Sequence, residues 1–140
     1  MHGFKLILFS LLFLPLLLSG QDYNITFYNQ DKGLQNELLK AVAVDSQGFI
    51  WLGTDYGLIR YNGKEFIDYS SLLPSNYVKA LHAHSNGDLF FTYDMGFGKI
   101  NLSSEKPEVT LIAQGGMKQG EGKLWYPKTL FEDKEGNLWF

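Results

Sequence analysis

The 140-residue sequence contains no cysteine. No disulfide can staple the fold, so its stability has to come from a buried apolar core. A lipid-modified cysteine behind a leader is excluded on the same ground. Also absent is an apolar run long enough to cross a bilayer. Residues 6–18 form an uncharged run of 13 residues, against the roughly 20 that a spanning helix needs. Basic residues are not in excess either: 12 Lys and Arg stand against 15 Asp and Glu, a net charge of −3. A nucleic-acid partner would call for clustered Lys and Arg, whereas this balance leaves room for neutral ligands such as sugars. Finally, no stretch shows an amphipathic helical period; short strands and turns are what remains.

The run at 6–18 follows Lys5 and the amino terminus, and Ser19-Gly20-Gln21 comes after it. A positive start, a short apolar centre and a small-residue end predict a secretory signal peptide over residues 1–20. Left uncleaved, the same run would act as an anchor. Its removal takes away Lys5 alone among the charged residues, leaving a net charge of −4.

A repeat organises the rest. Asp45-Ser46-Gln47-Gly48-Phe49-Ile50-Trp51-Leu52-Gly53-Thr54 recurs as His84-Ser85-Asn86-Gly87-Asp88-Leu89-Phe90-Phe91-Thr92-Tyr93. It recurs again as Asp133-Lys134-Glu135-Gly136-Asn137-Leu138-Trp139-Phe140. An offset of 39 carries Lys40 onto Lys79, Gly48 onto Gly87, Asp55 onto Asp94 and Asn62 onto Asn101; His84 and Asp133 are 49 apart. Both spacings suit a blade repeat of roughly 40 to 50 residues. Within a unit, Asp45 should accept hydrogen bonds from the backbone two and three residues on, and Gly48 should take a positive φ in a type I turn with a bulge. Asn62-Gly63 predicts a two-residue type I′ hairpin leading into a strand over 64–69. Tyr23, Ile25 and Phe27 alternate with polar neighbours, which predicts a strand over 23–28. The second unit carries a longer final hairpin (101–108) and a glycine-rich insertion (114–123). The third stops in mid-strand at Phe140, so the chain is expected to be the N-terminal part of a longer protein.

Ile50-Trp51-Leu52, Leu89-Phe90-Phe91 and Leu138-Trp139-Phe140 are apolar without alternation, so both faces of that strand must be buried. With no helices to cover them, radially stacked four-stranded sheets are the solution: an all-β propeller. A β-sandwich, with one wet face per strand, is the poorer fit. The expected layout is blade 1 at about 34–69, blade 2 at about 73–113 and an incomplete blade 3 from about 124. The strand at 23–28 would close the ring in the last blade. Trp51 should face one neighbouring blade, Ile50 and Leu52 the other.

Gly33-Leu34, Val42-Ala43-Val44-Asp45, Gly48-Phe49-Ile50-Trp51-Leu52-Gly53-Thr54, Gly57-Leu58-Ile59-Arg60-Tyr61-Asn62-Gly63, Phe66 and Tyr69 together resemble the two-component regulator propeller repeat. So does Leu73-Pro74-Ser75-Asn76-Tyr77-Val78-Lys79-Ala80-Leu81. The second unit departs from it, with His84 for Asp and Thr92-Tyr93 for Gly-Thr. The resemblance implies the periplasmic sensor region of a hybrid two-component histidine kinase in a gram-negative bacterium. Two propellers, a small β-sandwich and a transmembrane helix would precede cytoplasmic kinase modules. It implies an oligosaccharide as the small-molecule ligand. The remaining blades of the same chain, and a second copy in a homodimer, are the other implied partners. A secreted propeller enzyme or carbohydrate-binding adhesin without a signalling half is the alternative.

The sequence shows no catalytic constellation and calls for no cofactor or metal. Asp45 and Asp133 recur at a turn corner, which is a structural role. His82 and His84 share a strand face, with Asp88 nearby, but a third ligand at metal spacing is missing. Ligand contact is expected where turns differ between units, on the rim shared with the inter-blade links. That places Asp55, Tyr56, Ser75, Asn76, Tyr77, Asp94 and Met95 together, with Tyr rings to stack on sugars and Asp to bond hydroxyls.

Overall fold

The computed structural model describes residues 23–103, 106–115, 124 and 126–140. The expected signal peptide and most of the glycine-rich insertion lie outside them. Leu39–Val44 (β1), Ile50–Thr54 (β2), Gly57–Tyr61 (β3) and Phe66–Asp68 (β4) form one antiparallel four-stranded sheet in that order. Val78–Ala83 (β5), Leu89–Tyr93 (β6), Gly96–Asn101 (β7) and Glu108–Gln114 (β8) form a second. Phe131–Glu132 (β9) and Leu138–Trp139 (β10) pair as the start of a third. Two short 3-10 turns, Gln30–Lys32 and Ser70–Leu72, are the only helical elements among the described residues, and no helix there is long and apolar enough to cross a membrane.

The turn chemistry sets these strands. Gly48, Gly87 and Gly136 take φ of 86°, 92° and 83°, a region that favours glycine. Each closes a turn in which its N–H donates to the carbonyl of Asp45, His84 or Asp133. β2 and β6 then run through the middle of each sheet, rich in the aromatic and branched residues that suit strands. Contact between the two sheets passes mainly through β1 and β5, so the sheets meet at their inner strands, as radial blades do.

Both faces of β2 are buried, the Trp51 face against the neighbouring blade and the Leu52 face within its own unit. Trp51 and Leu58 point into the seam between the sheets, packing with Val78, Leu81, Leu89 and Phe91 of the second. Leu52 and Ile59 point the other way and pack with Leu34, Ile50 and Phe66. Phe97, the counterpart of Leu58, stacks on Phe140 of the third unit at 4.6 Å. Val42 is 58% exposed whereas its counterpart Leu81, inside the seam, is 9% exposed; Trp139 is 62% exposed and Trp51 fully buried. The same repeat position is thus buried wherever a neighbouring blade is present.

The segment 23–28, expected to pair in the last blade, joins no ladder of the sheets formed by the described residues, and Tyr23, Ile25 and Phe27 are exposed. It rests against the outer side of the first sheet through Tyr28, whose ring meets Tyr61 and Phe66. Two local expectations are corrected. Asn62-Gly63 is not a type I′ turn, since Asn62 lacks the positive φ which that turn requires. Instead the Asn62 side chain accepts from the N–H groups of Lys64 and Glu65, both at 2.9 Å. The loop widens to 62–65, and the following strand shrinks to Phe66–Asp68. The Asp45 carboxylate, finally, accepts from the N–H groups two and four residues on, Gln47 and Phe49, rather than two and three.

Candidate functional site

The β2–β3 and β6–β7 hairpins have the same register. Thr54 pairs with Gly57 and Tyr93 with Gly96, so Thr92-Tyr93 in place of Gly53-Thr54 leaves the turn unchanged. Each hairpin lifts an aspartate over the start of the innermost strand. Asp55 pairs with Lys40 at 3.3 Å and Asp94 with Lys79 at 2.7 Å. Tyr77, just before β5, lies between the two lysines, 6.0 Å from Lys40 Nζ and 5.6 Å from Lys79 Nζ to the ring centre. Lys79 Nζ also sits over Tyr126, at 4.1 Å. Cations and aromatic faces therefore alternate along the rim, each close enough for attraction to the ring quadrupole. Lys40, Tyr77, Lys79, Asp94, Tyr126 and Lys128 line one open cleft of about 540 Å³.

The seven expected residues share the rim but not one site. Asp55, Tyr77 and Asp94 belong to the cation-lined strip. Tyr56 opens instead onto a separate cleft of about 560 Å³ on the other side of the first sheet, beside Gln30, Asn36, Thr54 and Ser70. Ser75 and Met95 border a third hollow with Tyr93 and Gln114. Asn76 is exposed. The residues that sequence reasoning passed over are Lys40, Lys79, Tyr126 and Lys128. The repeat offsets held the signal: adding 39 and then 49 to Lys40 gives Lys79 and Lys128, and adding 49 to Tyr77 gives Tyr126.

The opposite rim is structural. Asp45 Oδ2 accepts from Trp51 Nε1 at 2.8 Å inside the seam, and Asp133 repeats the bond with Trp139 at 2.8 Å. That indole bond, with backbone donors from Asn137 and Glu135, holds the Asp133 carboxyl below the usual aspartate range. In the second unit both partners change together. His84 replaces the aspartate, accepting from Asn86 N at 3.1 Å on Nδ1, and its ring lies 5.3 Å from Phe90, which replaces the tryptophan.

His84 Nε2 in turn faces the third unit and meets the Gly136 carbonyl at 3.1 Å. Beside it, Glu132 accepts from His82 Nε2 at 2.9 Å, from Ser85 Oγ at 2.5 Å and from Ser85 N at 3.2 Å. The His82 bond, then the Ser85 hydroxyl, lower the Glu132 carboxyl from 4.5 to about 2. Asp88 is held by Lys99 at 2.7 Å. The two histidines do share a face, but they use it to hold Glu132 across a blade junction. Among the described residues no group of three acidic or imidazole side chains is placed to hold a metal.

Residues 33–56 match the family model described as two component regulator propeller. No curated protein matches the chain. The crystal structure of the extracellular domain of a putative hybrid two component system from B. thetaiotaomicron superposes with a TM-score of 0.64 at 19% identity. The match covers 84% of this chain and 17% of that one, so the chain spans a minor part of its neighbour. At that identity the likeness speaks for the fold. The repeat spacing, the sheet topology and the family match agree: this chain carries a two-component regulator propeller repeat and folds as consecutive blades of a β-propeller.

Proposed function

We propose that the chain is part of the extracytoplasmic, ligand-sensing propeller of a membrane two-component signalling protein, and that its ligand is an oligosaccharide. The observation that carries this reading is the rim. Recurring turn chemistry lies on one side of the blades, and on the other side aromatic and charged side chains line open clefts. Aromatic faces suit the apolar faces of pyranose rings, while Lys and Asp suit their hydroxyls. The apolar run at 6–18 supports export, and the extracellular origin of the structural neighbour agrees with it. That neighbour belongs to a putative hybrid two component system, which supports a signalling half elsewhere in the protein.

The test is oligosaccharide binding by the whole chain, measured by calorimetry for the native protein and for Tyr77→Ala and Tyr56→Ala. Stacking contacts of this kind predict a loss of about tenfold where the ring is used. Unchanged affinity in both variants overturns the rim as the sensing surface.

A further inference from the structure

A lysine occupies the same repeat position near the start of each inner segment: Lys40, Lys79 and Lys128. The inner strands of a propeller surround its axis, so repetition at this height sets the lysines around one mouth. Two of them are tied to hairpin aspartates, Lys40 to Asp55 and Lys79 to Asp94. Lys128 is exposed, and among the described residues no ion pair holds it. Three ammonium groups against two carboxylates leave one positive charge uncompensated beside the cleft. This stands out in a chain whose formal charge is −3.

The lysines are also not arranged as a solvated charge run. Lys79 is held between Tyr77 and Tyr126, with 13% of its side chain exposed. Tyr126 is the one non-glycine residue among those described that takes a positive φ, at 49°, a conformation a bulky residue adopts at a steric cost. Each ammonium offers three donors, and an aspartate uses only some of them. The remainder point to a ligand that brings its own negative charge and a ring to lie beside the tyrosines.

We propose that this cleft binds an acidic saccharide, its carboxylate or sulfate meeting Lys128 and Lys40 and its sugar ring lying against Tyr77 and Tyr126. The inference deepens the sensing role proposed above and rests on it for the saccharide. Charge-assisted hydrogen bonds of this type are about twice as strong as neutral ones. They should therefore dominate the selection between acidic and neutral sugars.

The experiment is native affinity electrophoresis of the whole chain in gels containing polygalacturonate (carboxylated), carrageenan (sulfated) or dextran (neutral), with Lys128→Gln and Lys128→Arg alongside. Retardation by an acidic polymer is expected at about a tenth of the concentration needed with dextran. Which acidic polymer acts distinguishes carboxylate from sulfate. Lys128→Gln should weaken that retardation by about tenfold with an unchanged melting temperature, and Lys128→Arg should retain most of it. Equal retardation by dextran overturns the acidic ligand while leaving the sensing role standing. Retardation by none of the three overturns the acidic ligand and counts against the saccharide sensor as well. Full retardation of Lys128→Gln overturns this cleft as the site.

Discussion

A single indole N–H couples the turn to the core in the first blade. Trp51 is fully buried, and its Nε1 donates to Asp45, which also takes two backbone N–H groups. Leaving a buried donor without a partner costs about 1–3 kcal/mol. Asp45→Ala is therefore expected to lower stability by about 1–3 kcal/mol in urea unfolding, since it strands the buried Trp51 indole N–H, while the part-buried N–H groups of Gln47 and Phe49 can turn to water. The pair Asp45→His with Trp51→Phe, copying the second blade, should lose less than the two single changes summed. A double-mutant cycle without coupling would show that the two positions are independent after all. Both columns of the repeat were visible in the sequence, as Asp or His and as Trp or Phe. Their joint change was visible too, but six residues separate the partners. Only the path of the hairpin shows that the carboxylate folds back onto the indole.

Between elements, close approach is what the residue types record. An added Cβ at Gly53 would lie 2.7 Å from Val78 Cγ1 and 3.4 Å from Ala41 Cβ, so β2 admits the first residue of β5 only because no side chain intervenes. Gly53→Val should force the two blades apart and lower stability by about 1–3 kcal/mol, read as a reduced urea midpoint. Unaltered unfolding would mean that the seam can yield there. The second junction is different in kind. Glu132 binds its proton less readily in the fold than in the unfolded chain, with its pKa lowered from 4.5 to about 2. Its contribution is therefore complete above pH 4.5 and fades as the pH falls towards 2. The melting-temperature difference between the native protein and Glu132→Gln should be largest near neutrality and shrink across that range. A difference independent of pH would contradict it. The hairpins around β2 and β6 were legible because glycine and aspartate occupy fixed offsets. The 62–65 loop was not, because Asn62 can serve either as a backbone turn residue or as a side-chain acceptor, and here the side chain prevails.

At the scale of the molecule, the architecture was readable because a strand apolar on both faces, repeated without helices, has few ways to be buried. The ligand rim was readable only in part. Tyr77 and Asp94 belong to turns that differ between units, but their partners Tyr126 and Lys128 lie beyond an insertion that shifts the repeat by ten residues. A cleft assembled from three units appears in no single one. Two apolar faces stay uncovered by the described residues, Val42 and Val44 on one side and Phe131 and Trp139 on the other. A blade cannot bury its faces without neighbours, and at least three repeats are needed for stability. Residues 21–140 expressed alone should therefore melt at a lower temperature than the same residues joined to further blades, and an equal melting temperature would refute this. The contrast between the two junctions carries further. The first blade locks its aspartate internally and meets its neighbour through an apolar seam with Lys40 over Tyr77 at its rim, whereas the second sends His82, His84 and Ser85 across to Glu132 and Gly136. Repeats of one sequence pattern thus form joints that fail under different stresses. Chaotropes should prise open the first, and acid the second, so that damage to the assembly would begin along a seam chosen by the solvent.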